Sequence, residues 1–269
     1  MLVIGENINA SNSRVAEAIA NRDGEFLANL AKAQASAGAN IIDVNAGSGH
    51  GSLEKAIADG RWLIGGVQAA VEKPLAIDSD SPEVIKAVLK EYTGERPLVN
   101  SITAEPARLE SIAPLVAERE ASVVALAMGS EGIPPSVEDR LAACEQIMEH
   151  LAGLDIEPKQ VLFDPLVLPI AVDTSQGLVT LRTIEGIKSR YPDAGVVMGL
   201  SNISYGLPKR KLVNRAFLLM AAYAGLDAVI VDPLDSKAMS LIKVANMLIA
   251  KDPSCRAYLR AHRKSEIVD

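Results

Sequence analysis

Short apolar runs punctuate the chain at intervals of roughly 20–40 residues, each followed by a helical pattern. The runs are Leu2–Gly5, Asn40–Val44, Leu75–Asp78, Pro97–Asn100, Ser122–Met128, Val161–Asp164, Gly195–Leu200 and Asp227–Asp232. They are continuous rather than alternating, as expected of strands covered on both faces. Between them lie helix signals. Phe26, Leu30, Ala33 and Ala37 share one face, with Asp23 as the cap and Gly38 as the stop. Ser81, Pro82 and Glu83 place a cap, a first-turn proline and an early acid before Val84, Ile85, Val88 and Leu89. Ser136 opens another helix, whose stripe is Leu141, Cys144, Ile147, Met148 and Leu151. Eight strand–helix units without a Pro/Ser/Gly linker predict one (β/α)8 TIM-barrel domain over residues 1–269. A doubly wound open sheet is the competing architecture, but no glycine fingerprint follows the first run.

Composition narrows this picture. The chain has 269 residues, of which 49% are hydrophobic and only 3% aromatic, so Val, Ile, Leu and Ala must build the core. A net charge of -7 argues against a nucleic-acid or anionic-membrane partner, which would need a basic face. No run reaches the roughly 18 apolar residues of a spanning helix. The start of the chain has no basic leader, and Cys144 and Cys255 stand alone without ligand or disulfide spacing. A cytoplasmic location is the expectation.

The chemistry gathers where the runs end. Glu6, Asn7 and Asn9, then Asp43 and Asn45, Asp78 and Ser79, Asn100 and Ser101, Asp164, Ser201 and Asn202, and Asp232 all follow or close an apolar run. In a barrel these positions converge on the rim that carries the active site. Histidine is scarce: His150 falls in a helix, His262 in a charged C-terminal stretch and His50 in the glycine-rich loop Gly47–Gly51. A His-based metal site is not expected, and no protein-bound metal is predicted. Phosphate-loop, nucleophile-elbow and zincin motifs do not occur. Carboxylates and amides around one mouth suit a flat heterocycle with donor and acceptor edges, of which a pterin is an example. One carboxylate can take its amino and ring N–H together, and an amide can read its carbonyl.

Six stretches carry a family resemblance: Ile4–Asn9, Ile42–Asn45, Ile77–Ser79, Val99–Ser101, Phe163–Leu166 and Gly199–Asn202, joined by Pro208–Arg210 and Leu212–Arg215. In this order and spacing they resemble the methyltetrahydrofolate:corrinoid methyltransferase family, related to the folate module of cobalamin-dependent methionine synthase. The resemblance runs from the first strand through the eighth. It implies methyl transfer between N5 of methyltetrahydrofolate and the cobalt of a corrinoid, in either direction. The chain contains no Asp-x-His-x-x-Gly segment, so the corrinoid (cobalamin) is expected on a separate partner protein. A homodimer is implied as well.

Carried over by position, the resemblance makes Asp78, Asn100 and Asp164 pterin-binding residues, with Asp164 on the amino edge and Glu6 in the same network. Asn202 then contacts the nitrogen that bears the methyl group, and Arg210 lies nearby. Asn202, Asp78 and Asp164 form the expected catalytic set. Asp43, Asn45, Gly199 and Ser201 complete the expected substrate-binding set. Structural readings compete at each position: Asn202 as a turn residue, Asp78 as a helix-entry residue, Asp43 and Asn45 as loop ties, Arg210 as part of a solvated patch with Lys209 and Lys211. Two other functions remain open: a dihydropteroate synthase-like pterin enzyme, and a non-catalytic folate-binding subunit of a methyltransferase complex.

Overall fold

A computed structural model describes residues 1–47 and 51–268. His50, singled out above, lies outside the described residues. Eight strands close into one parallel barrel in sequence order: β1 (Leu2–Asn9), β2 (Ile41–Asn45), β3 (Leu75–Asp78), β4 (Leu98–Ile102), β5 (Ser122–Leu126), β6 (Val161–Asp164), β7 (Gly195–Gly199) and β8 (Ala228–Val231). The expected TIM barrel is the observed fold. Helices α1 (Ser13–Ala20) and α2 (Gly24–Ser36) follow β1. Then α3 (Leu53–Ala70), α4 (Pro82–Glu91), α5 (Pro106–Glu118), α6 (Val137–Ala152), α7 (Gln176–Arg190), α8 (Arg210–Ala224) and α9 (Ser236–Leu248) each follow one strand. A further helix, α10 (Arg256–Arg263), comes after α9.

The expected caps are made: the side chains of Asp23, Ser81 and Ser136 accept from Phe26, Val84 and Asp139 backbone N–H. Two helices, α1 and α10, are additional to the eight-unit pattern. Asn12 caps α1.

The strands look uniformly apolar, yet they alternate. Ile4, Ala76, Leu98, Val124, Val197 and Ala228 form a cluster of their own inside the barrel, packed with Leu2, Ile41, Leu126, Leu162 and Ile230. Their neighbours Val3, Ile42, Leu75, Val99, Val123, Val161, Val196 and Val229 belong to the larger cluster under the helices. Two residues beyond each inner apolar position stands a site candidate. Glu6 follows Ile4, Asp43 follows Ile41 and Asp78 follows Ala76. Asn100 follows Leu98, Asp164 follows Leu162, Gly199 follows Val197 and Asp232 follows Ile230. The inner face of the barrel therefore changes from hydrocarbon to carboxylate and amide toward the C-terminal ends of the strands. β5 is the exception, placing Leu126 beside Asp164 of β6.

Candidate active site

A cleft of about 410 Å³ opens at that mouth, lined by Glu6, Asn7, Asn9, Ser11, Asn12, Asp43, Asp78, Asn100, Ser201, Ile230 and Asp232. Its polar side chains hold one another. The Asn100 amide donates to Asp43 Oδ1 at 3.2 Å, and the Asn45 amide donates to Asp78 Oδ2 at 2.8 Å. Asn9 reaches the same Asp78 oxygen at 3.5 Å, and Asn7 donates to Asp232 Oδ1 at 2.9 Å. Asp78 and Asn100 are paired across β3 and β4, which fixes them side by side. A register shift in β1 between Gly5 and Ile8 brings both Glu6 and Asn7 to the mouth.

Electrostatics follow from this crowding. Burial pushes the Asp43 carboxyl well above the usual range, helped by the charge of Asp78. Burial also raises Asp78, and it raises Glu6 together with the charge of Asp232. Asp164 is buried and pushed up to about 6 by desolvation. Four carboxyl groups held above their ordinary pKa at one mouth form a site that favours neutral or donating ligand groups.

The expected residues divide into three groups. Glu6, Asp43, Asp78, Asn100 and Ser201 line the cleft, and Asn45 touches it through Asp78. Asp164 ends β6, Gly199 ends β7 and Asn202 follows it, three to four strands around the ring from Asp78. Asp164 accepts the Leu166 N–H at 2.8 Å. Asn202 is exposed in a short 3-10 segment (Leu200–Ser204), its amide nitrogen over Gly199, where a Cβ would come within 3.3 Å. Arg210 borders a second cleft of about 430 Å³ that shares Glu6, Ser201 and Asp232 with the first. It donates to Ser201 O at 2.7 Å and to Ser204 Oγ at 3.1 Å.

Asn7, Asn9, Ser11, Asn12 and Asp232 also line the cleft, although the expected binding set omits them. Asp232 carried a signal, since it ends the eighth apolar run. Ser11 and Asn12 had none, because a polar loop after β1 looks like any other. Among the described residues, no group of three or more His, Cys, Asp and Glu is placed to hold a metal ion.

Comparison with known proteins gives this geometry a family. Residues 5–232 match the pterin binding enzyme family. Over 269 residues the chain is 35% identical to the methylcorrinoid:tetrahydrofolate methyltransferase of Eubacterium limosum, covering 99% of this chain and 98% of that one. The chain belongs to the pterin-binding enzymes, in the family of that methyltransferase. It is also 30% identical over 265 residues to a methionine synthase of Mycobacterium tuberculosis, matching 94% of itself to 22% of that longer protein.

Among solved structures, a dihydropteroate synthase from Xanthomonas albilineans in complex with 7,8-dihydropteroate superposes with TM-score 0.65 at 20% identity, covering 94% and 93% of the two chains. A second, from Stenotrophomonas maltophilia, gives TM-score 0.70 at 20% identity, again covering 94% and 93%. At that identity the likeness speaks for the barrel alone. No helix among the described residues is long and apolar enough to cross a membrane.

Proposed function

We propose that this protein moves a methyl group between N5 of methyltetrahydrofolate and the cobalt of a corrinoid carried by a separate protein. The observation that carries the reading is the mouth itself. Paired carboxylates and amides from consecutive strands occupy the positions that the family resemblance assigns to the pterin, in a chain alike over its whole length to a corrinoid–folate methyltransferase.

In this reading Asp164 accepts the amino and N–H edge of the pterin, with lone pairs left after its bond from Leu166. Asp78, oriented by Asn45, and Asn100, oriented by Asp43, hold the remaining polar edge. Asn202, whose amide nitrogen lies over Gly199, turns its amide to N5. An amine anion leaves poorly, so N5 must gain positive character as its methyl departs. An amide whose hydrogen bond strengthens in the transition state assists this step without binding the ground state more tightly. The cobalt of the reduced corrinoid is the nucleophile, so no side chain attacks.

Mixing the protein with methyltetrahydrofolate and cob(I)alamin should produce the methylcobalamin spectrum, and tetrahydrofolate should reverse it. Absence of both reactions sinks the proposal. Asn202→Ala should lower turnover by roughly 10²–10³-fold while tetrahydrofolate binding changes far less. Equal losses in the two would reduce Asn202 to a binding group. Exposed Leu212, Met220 and Tyr223 share one face of α8 and support the homodimer reading, which sedimentation of the purified chain checks.

A further inference from the structure

Two arginines outside the cleft stand in the same relation to two aspartates at strand ends, Asp78 and Asp164. Arg108, in the first turn of α5, donates to Ser79 O at 3.0 Å and Asp80 O at 2.5 Å, the carbonyls of the two residues that follow Asp78. It also donates to Ser101 O at 3.0 and 2.7 Å, just beyond Asn100. Arg140, in the first turn of α6, donates to Pro165 O at 2.9 Å and Leu166 O at 2.8 Å, the carbonyls of the two residues that follow Asp164. Its remaining bonds go to Pro134 O and Gln176 Oε1. Each arginine comes from the helix of an adjacent barrel unit, not from the unit whose aspartate it backs.

We propose that Arg108 and Arg140 are paired positioning residues. Each grips the backbone directly after one pterin-binding aspartate, fixing its direction and setting behind it a positive charge that is in no salt bridge among the described residues. The assignment rests on the reading of Asp78 and Asp164 as pterin ligands.

Three observations separate this from ordinary loop bracing. Arg140 is 0% exposed and Arg108 half-buried, and neither forms a salt bridge among the described residues. Burying a guanidinium on neutral carbonyls alone is expensive, and an uncharged donor would brace a loop without that penalty. Both also sit in the first turn of a helix, where the macrodipole disfavours a cation. The charge that compensates them is at the site. Asp164 is the carboxylate whose field bears on Arg140; on Arg108 the fields of Asp80 and Glu105 act first, with that of Asp78 behind them. A carboxylate that must stay ionised in a desolvated mouth needs such a counter-charge, and one placed behind it leaves its lone pairs free for the ligand.

The test is tetrahydrofolate binding to the full chain, by titration calorimetry from about pH 5 to about pH 8, for Arg→Gln and Arg→Lys at each position. Facing Asp164 are Arg140 and the Cys144 thiol, both on α6; facing Asp78 are Asp43, Asp80 and Arg108. Arg140→Gln and Arg108→Gln should each move the acid limb of binding upward by about one pH unit, a tenfold loss on its acid side. The lysine variants keep the charge, so they should weaken binding while leaving the limb in place.

An unmoved limb in the glutamine variants, or identical behaviour of glutamine and lysine, overturns the assignment. If Arg140→Gln does not fold, the half-buried Arg108 pair decides by the same criteria. A wild-type chain that binds no tetrahydrofolate at any pH brings down the site reading and the assignment with it, whereas wild-type binding with an unmoved limb overturns only the arginines.

Discussion

Asp164 shows what a single residue gives up for this site. Its carboxyl is pushed up to about 6 from an ordinary 3.8 because it is buried. Above that range the folded chain holds an ionised group that the unfolded chain would hydrate, a penalty of about 3 kcal/mol. Asp164→Asn keeps an oxygen to accept the Leu166 N–H and removes the charge. The variant should be more stable than wild type at pH 7.5, by up to about 3 kcal/mol, and equal to it near pH 4, where wild type is protonated too. Tetrahydrofolate binding should be lost. Urea denaturation at the two pH values checks it, and a variant weaker than wild type at pH 7.5 contradicts it.

This residue was legible in sequence because it closes an apolar run, and so were Asp43, Asp78 and Asn100. Arg108 and Arg140 were not. Each carries its meaning in bonds to carbonyls that stand far along the chain, after a neighbouring strand, and nothing in the local pattern marks them.

Among the elements, β1 departs furthest from its sequence reading. The apolar run stops at Gly5, but the strand continues through Glu6 to Asn9. Polar residues there fall outside the apolar run because the signal for a strand is its hydrophobic content. The continuation depends on partners outside the strand. Fully buried Gln34 of α2 accepts the Asn7 N–H at 3.0 Å, where the β1–β2 register shifts. Gly5 is needed at this point, since a Cβ on it would lie 2.5 Å from the same Gln34 oxygen. Gln34→Ala strands that N–H in a cavity and should lower stability by about 1–3 kcal/mol. It should also weaken tetrahydrofolate binding, because Glu6 and Asn7 lose their setting. Chemical denaturation and a binding titration of one preparation test both halves. Unchanged binding despite lost stability would mean the β1 shift holds itself. Helix starts were far easier to read, since Ser81 and Ser136 cap through their own side chains within three residues.

At the scale of the molecule, the barrel has an apolar plug at one end of its interior and a mouth of raised carboxyls at the other. Stability and binding should therefore run in opposite directions with pH. Glu6, Asp43, Asp78 and Asp164 all have folded pKa values above their ordinary ones. Such groups contribute stability that is present below the unfolded value and lost as pH rises through the folded one, so the ligand-free chain should weaken from about pH 4 through about pH 6. Asp227 and Asp235 oppose this at the acid end. Held low by Lys251 and Lys188, and by Arg215 and Lys211, they contribute stability that is lost as pH falls below the carboxylate range. The ligand-free protein should thus be most stable on the acid side of neutrality.

Tetrahydrofolate bound as proposed should reverse the preference. In that reading its donor edge needs the ionised carboxylate, so its stabilisation should grow as Asp164 loses its proton. Melting temperatures across this range, with and without saturating tetrahydrofolate, should show the optimum moving upward by about one pH unit or more on binding. A ligand-induced rise in Tm that is the same at every pH would show that the mouth carboxylates do not meet the pterin as anions, and Asp164 would lose its place at the amino edge.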